Sequence, residues 1–544
     1  MRLIPDDPFP EIGHPFTTDV SADGRWIAVS CHASGRGDGG RVAVYRTSDL
    51  ALWDQIVLEQ GIEGLAFHPA LPVLAVGTEE GDEFELRGGL HLYEPETRRR
   101  TDVVVAGAGV SALRWRDARR LEVTFARPSV DYEDLGRVTY TRSVVEPPDW
   151  LVVTADVLAA LVSWPQVPVE VDWSGTCGQG PDIDQPQRYL AGIAAERGRA
   201  WARRPGVAVV EVLRDGRILA AAQSGVLLEC WSPEGTPQWS VPVPDSQRQR
   251  NGCRVYVTPD EESAWITVLV GDSSDRRTLL CRFALTDGAQ LAESRLDFPV
   301  AIAARTDGAW VARDSRELFP GPRWPPYDSV VLTPSGRQLA TLALGESDSS
   351  YDFTVRRSPH LLFLYGVGGG EVRTELLEKW VVRADPNGVE RLFPLAWHDA
   401  LGPHLRGGPA AYVDDDAGQG LVHTCTARDG TYLVRRAYPD GAVAWVHRFD
   451  ARVTGVDVQG GLVHAVTGAG ACELLTLRAE EGTVVRRRAL TLSGHLYTPT
   501  CLSAGPDGDL VIGTVEGRLI RTRADGGALP VPEVPVAWDA RTCP

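Results

Sequence analysis

The sequence predicts an all-β fold of about ten blade-like, four-stranded units, closed as one large ring or as two smaller ones, with a partly helical insertion. Three observations carry that expectation. In Thr17 to Leu58, β-branched and aromatic runs at Ile27 to Val29 and Val42 to Tyr45 are punctuated by turn residues at Asp23-Gly24 and Gly35 to Gly40. The same runs return as Val73 to Val76 and Leu90 to Tyr93, a period of about 48 residues, and again as Leu121 to Phe125 and Val138 to Tyr140. A four-stranded sheet of this size buries both faces only by stacking on neighbours, and radial stacking of such sheets makes a β-propeller.

Further along, GRILAAAQSGVLLECWSPEGTPQWSVPV, Gly216 to Val243, has the order strand, turn, strand, turn, strand. A glycine turn, then three residues, then Trp marks it at Gly235 and Trp239, and recurs at Gly441 and Trp445. Further copies fall at Arg254 to Leu296, Ala301 to Leu344, Phe353 to Phe393, Ala410 to Phe449, Val453 to Leu490 and Thr498 to Leu529. The pattern breaks over 149–205. There Asp156 to Val162 reads as one or two helical turns, and Gln187 to Arg203 has apolar residues near helical spacing, with Asp184 as N-cap and Pro186 in the first turn. The expected organisation is therefore propeller blades over 1–148, a partly helical insertion over 149–205 and further blades over 206–544. A short strand within Phe9 to Phe16 is expected to complete the last blade and close the ring.

Composition narrows the function. The 544 residues are 43% hydrophobic, ample for a large core, and carry a formal net charge of −18, so the mean field repels nucleic acid. Lys379 is the only lysine, which reads as a base-composition bias of the source genome. Short basic runs such as Arg98 to Arg100 and Arg486 to Arg488 fall at turn or strand-end positions. No signal-peptide core and no stretch of about eighteen apolar residues is present, and the nine cysteines are scattered without a C-x-x-C pair. These features point to a cytoplasmic protein with buried thiols, no membrane contact, no cofactor and no resident metal.

SADGRWIAV at Ser21 to Val29 and AFHPALPVLAVG at Ala66 to Gly77 resemble the turn-and-strand pattern of bacterial WD-repeat β-propellers. CWSPEGTPQWSV at Cys230 to Val241 and RAYPDGAVAWVHRF at Arg436 to Phe449 are closer to quinoprotein-type repeats. The resemblance spans the chain apart from 149–205 and implies a ring of blades; Trp53-Asp54 sits at a suitable unit end, while Trp538-Asp539 lies in the tail.

Turns between the first two strands of a unit are short, whereas loops between the second and third are long at Ser34 to Gly40, Thr78 to Gly88, Pro128 to Gly136, Gly271 to Arg277 and Asp314 to Asp328. Equivalent loops emerge on one face of a propeller, which makes that face the candidate binding surface. On it, Glu80, Asp82, Glu83, Asp131, Glu133 and Asp134 form an acidic patch suited to a partner with a basic surface or to a hard cation; a solvated acidic rim is the alternative. Phe319, Trp324 and Tyr327, among prolines, are rigid aromatic anchors for a protein partner or a plug of the propeller mouth. No G-x-S-x-G, P-loop or H-E-x-x-H motif occurs. The remaining clusters, His398, Asp399 and His404 and then Asp414 to Asp416 with His423, are polar loops or a metal site, and Cys177 is a loop thiol without a basic neighbour. The expectation is a non-enzymatic scaffold or recognition module. Its alternatives are a quinoprotein-like oxidoreductase or hydrolase, or a small-molecule or metal sensor, with a site in the central channel.

Overall fold

The computed structural model describes residues 1–5, 8–31, 40–81, 86–105, 107–128, 138–162, 167–169, 185–222, 225–243, 249–270, 277–296, 300–308, 310–314, 329–342, 353–365, 379–385, 388–398, 401, 405–427, 430–468 and 471–527. They fall into two compact units: 6–205 with 515–517, and 1–5 with 206–514 and the chain from Arg518 onward.

The larger unit is a ring of seven blades among the described residues, a β-propeller. Its innermost strands are Val207–Val212, Gln249–Val257, Val300–Ala304, Thr354–Arg356, Arg406–Asp415, Val453–Gln459 and Pro499–Ala504, which begin blades 1 to 7. Each lies beside the next, and that of blade 7 lies beside that of blade 1, so the ring closes. From the inner strand each chain meanders outward through antiparallel neighbours, and composition follows position. Second strands such as Ile218–Ala222 and Asp509–Thr514 are buried at every residue, because both their faces meet another blade. Outer strands such as Pro237–Pro242 and Val484–Ala489 alternate exposed and half-buried residues, because one face is wet. Blade 4 departs from the rule. Its inner strand Thr354–Arg356 pairs in parallel with Arg406–Asp415 of blade 5 and leaves Leu361–Tyr365, Trp380–Asp385 and Gly388–Pro394 as a three-stranded sheet.

The closing strand is Arg2–Ile4, not the expected segment Phe9 to Phe16. It pairs antiparallel with Leu519–Arg523 of blade 7, matching Leu3 with Ile520 and Ile4 with Leu519. Ile4 is 1% exposed and packs with Val207, Trp231 and Leu519. Phe9 and Ile12 are buried in the smaller unit instead, and Pro15–Val20 is the first strand of a sheet there.

One contact recurs around the ring. A side chain of one blade lies beneath a turn glycine of the next: Ile4 under Gly235, Trp239 under Gly288, Trp265 under Gly336, Phe393 under Gly441, Trp445 under Gly482. All five glycines have φ between +70° and +87°, which strains any other residue, and a Cβ at Gly482 would stand 2.6 Å from the Trp445 ring. The indoles also donate across the interface, Trp445 Nε1 to Ala479 O at 2.8 Å and Trp265 Nε1 to Pro334 O at 2.8 Å. The glycine-then-Trp motif is thus a relay: Gly441 receives Phe393 from blade 4, and Trp445 reaches on to blade 6.

The smaller unit holds three four-stranded sheets, beginning at Pro15–Val20, Gly61–Phe67 and Gly109–Trp115, together with helices α1 (Ala155–Val162) and α2 (Gln185–Glu196). Leu190 and Ala194 of α2, with Phe9 and Trp201, bury Ile27, Val29 and Tyr45 of the first sheet. Leu158 and Val162 of α1 pack with Leu121, Phe125, Val145 and Trp150 near the third. That sheet takes its last strand, Val167–Val169, from the stretch the sequence marked as an interruption. The Trp53-Asp54 pair joins the first two sheets: Trp53 Nε1 donates to Pro95 O at 2.7 Å, and Tyr93 Oη donates to Asp54 Oδ2 at 2.6 Å. Among the described residues, no helix is long and apolar enough to cross a membrane.

The relay is tested by two glycines with the same backbone sign. Gly460, at φ +57°, has nothing within 4 Å of an added Cβ, so Gly460→Ala should cost only the strain, about 1 kcal/mol. Gly482→Ala should cost strain and displaced Trp445 packing, about 3 kcal/mol or more, measured by calorimetry of the ring's unfolding transition.

Candidate functional site

Of the residues expected to bind a partner, Glu80 is described. It is half-buried on strand Leu74–Gly81, opposite Arg87. Phe319, Trp324, Tyr327, Asp82, Glu83, Asp131, Glu133 and Asp134 lie outside the described residues. Their segments, 82–85, 129–137 and 315–328, each connect the second and third strands of a sheet, as the loop assignment expected. Beside Glu80, Glu79 is partly buried, with its Oε2 lacking a partner; burial and then the charge of Glu63 push its carboxyl up to about 7.

The strongest concentration of charge among the described residues lies in the ring's channel and was not singled out by the sequence. Arg356, on the inner strand of blade 4, donates to both carboxylate oxygens of Glu211 on the inner strand of blade 1, at 2.7 and 2.9 Å, and to Val210 O at 2.8 Å. Arg357 forms the matching two-point pair with Asp457 of blade 6, at 2.6 and 3.0 Å, and donates to Ala504 O of blade 7. Blade 4 stands three blades from both blade 1 and blade 7, so these side chains cross the channel. The available signal was a single carboxylate inside an apolar strand, VAVVEV for Glu211 and VTGVDVQ for Asp457, with Arg356-Arg357 as an adjacent pair elsewhere.

Asp457 can be compared with Asp19, which occupies the same structural position in the smaller unit. Each caps the next backbone amide at 2.8 Å and accepts an N–H from the neighbouring sheet's inner strand: Phe67 N at 2.6 Å for Asp19, Ala504 N at 2.8 Å for Asp457. Burial works against ionisation at both. It wins at Asp19, whose carboxyl is raised; at Asp457, Arg357 and Arg356 overcome it and hold the carboxyl below its ordinary range. Burial also pushes Glu211 up, against the pull of Arg356.

Chemically, the channel cluster is two cations against two carboxylates, with the guanidinium arms turned to acceptors. The adjoining hydroxyl, Ser503 Oγ, accepts from Val212 N at 3.2 Å and donates to Glu211 at 3.4 Å, and burial pushes the Cys501 thiol up to about 11. That is an arrangement for holding strands, not for activating a nucleophile.

The Asp414 to Asp416 and His423 grouping does not converge. His423 is fully buried near Phe353, whereas Asp415 pairs two-pointed with Arg435 at 2.7 and 2.8 Å. His398 is described; Asp399, His404 and Cys177 lie outside the described residues. Among the described residues, no group of three or more His, Cys, Asp or Glu is placed to hold a metal ion.

Set against known proteins, the chain matches no family model and no curated protein. Among solved structures it is similar to a streptogramin B lyase, with 12% identity and a TM-score of 0.41 over 58% of this chain and 93% of that one. It is also similar to virginiamycin B lyase from Staphylococcus aureus, with 11% identity and a TM-score of 0.40 over 58% and 94%. A chain of a mitotic checkpoint complex aligns at 11% identity and a TM-score of 0.37 over 58% and 88%.

Two outcomes follow. Asp457→Ala removes the carboxylate paired with Arg357 and the acceptor of the Ala504 amide and should cost about 3–5 kcal/mol, against about 1–2 kcal/mol for Asp19→Ala, read from the calorimetric transitions of the two units. Burial pushes His423, His464 and His495 down to about 4. As pH falls below about 6.5 the unfolded chain binds protons that the native ring refuses, so these groups' contribution is whole above about 6.5 and is lost progressively toward about 4. Denaturant midpoints at a series of pH values should fall through that window, by on the order of 1–3 kcal/mol per histidine; a flat profile contradicts the buried neutral state.

Proposed function

We propose that this protein is a non-enzymatic, cytoplasmic β-propeller scaffold that recognises another protein through the face carrying its long connections. The observation that supports this reading is the self-neutralised channel. Where a propeller enzyme or sensor would present a free acid, base, nucleophile or ligand set at the ring's centre, Arg356 and Arg357 are committed to Glu211 and Asp457. Recognition then falls to the loops, whose aromatic anchors Phe319, Trp324 and Tyr327 are of the residue types that dominate protein interfaces. The acidic residues Glu80, Asp82, Glu83, Asp131, Glu133 and Asp134 suit a partner with a basic surface. The mostly buried thiols of the described cysteines fit a reducing compartment.

Affinity purification of the full chain from its native host should recover one protein in stoichiometric amount. Trp324→Ala with Tyr327→Ala should then weaken that complex at least about thirtyfold, by titration calorimetry, without moving the unfolding temperature. Unchanged affinity in the double variant removes the assignment of the interface.

A further inference from the structure

A ring closed by a strand from far away in sequence has a weak point, the seam where its last blade meets its first. Here the seam joins blade 7, whose outer strand is Arg2–Ile4, to blade 1. On the outside, three residue pairs tie that strand into blade 7, and Ile4 beneath Gly235 carries the contact on to blade 1. From inside, Val212 N donates to Ser503 Oγ at 3.2 Å and Thr500 Oγ1 donates to Val207 O at 2.5 Å.

Arg356 grips this same seam, and Arg357 grips the adjoining junction of blades 6 and 7. Arg356 donates to Glu211 and Val210 on the blade 1 side and to Ser503 Oγ, at 3.4 Å, on the blade 7 side. Arg357 donates to Ala504 O on blade 7 and to Asp457 on blade 6. Both come from the blade diametrically opposite, on a strand that has left its own sheet for a parallel pairing with blade 5. Arg357 itself sits at φ 57°, a left-handed conformation costly for a residue with a Cβ. Displaced pairing, backbone strain and two-point ion pairs therefore coincide on one four-residue segment, with Arg356 reaching both blades where the ring is joined and Arg357 bracing blade 7 against blade 6.

We propose that Thr354 to Arg357 is a clasp that holds the closing seam of the ring shut from within, working with Arg2–Ile4 as the two halves of one closure. Loss of the clasp's charges opens the ring between blades 1 and 7 in preference to any other pair of blades. A set of ordinary stabilising ion pairs would instead loosen the strands that carry them, or the ring as a whole.

Hydrogen exchange on the full chain, read by mass spectrometry, separates these cases. In Arg356→Ala with Arg357→Gly, the glycine accepts the left-handed backbone. Amides of Arg2–Ile4, Leu519–Arg523 and Val207–Val212 should exchange at least about tenfold faster, while those of Ser263–Val270 in blade 2 keep their rates. Faster exchange confined to Thr354–Arg356 and its partner strand, an equal rise in all blades, or no change at the seam overturns the proposal. Should the double variant not fold, Glu211→Gln, which keeps the side-chain shape, is read by the same criteria. Combined with Ile4→Ala, it should give a seam-exchange effect that departs from the product of the single effects; a simple product overturns the shared closure.

Discussion

The ring depends on a side chain of one blade lying beneath a glycine of the next. Antiparallel pairing makes each blade but says nothing about the angle between blades, because face-to-face packing of sheets tolerates rotation and sliding. The buried Trp445 ring, held over a turn whose glycine has no Cβ and donating from Nε1 to Ala479 O, admits one spacing and one rotation. Repeated with Ile4, Trp239, Trp265 and Phe393, it fixes the spacing at five of the ring's seven interfaces. The apolar, largely buried second strands supply the driving force, while the turn contacts supply the register.

Charge is used against this apolar background in a consistent way. Inner-strand acceptors at Asp19, Asp457 and Ser503 each take an amide from the neighbouring inner strand, so the position is a device for joining blades. Its electrostatic state is then set by what else approaches. Without arginines, burial raises the Asp19 carboxyl; with Arg356 and Arg357 nearby, the same position carries a firmly ionised carboxylate. Two-point guanidinium pairing in a dry channel is strong while both partners remain and costly once either is removed.

Much of the fold was legible from the chain because it rests on local rules. Asp-Gly turns such as Asp215-Gly216 are self-capped, with Arg217 N donating to Asp215 Oδ1 at 3.0 Å, and they announce hairpins wherever they occur. The strands between them carry the period-two pattern of half-buried edges or the continuous apolar run of buried centres. The candidate site was less legible. Arg356 and Arg357 are 145 and 100 residues from the carboxylates they pair with, and nothing in RRSPH states that its strand will cross a channel. The closing strand was misplaced for the same reason: Leu3-Ile4 is too short to carry a periodic signal, and its partner lies at the other end of the ring.

The sequence by itself determined the repeat, the four-stranded unit and the alternation of tight turns with long connections, because hairpin formation and sheet burial are decided over a few residues. Only the tertiary structure decided which seven of the ten units among the described residues form the ring and which three stand with the helices of the smaller unit. It alone showed that Arg2–Ile4 completes blade 7 and that Thr354–Arg356 leaves its own blade for the next. The physical reason is that these are long-range pairings. Their free energy comes from Ile4 finding Gly235 and Arg357 finding Asp457, and such contacts exist only once the intervening blades have formed.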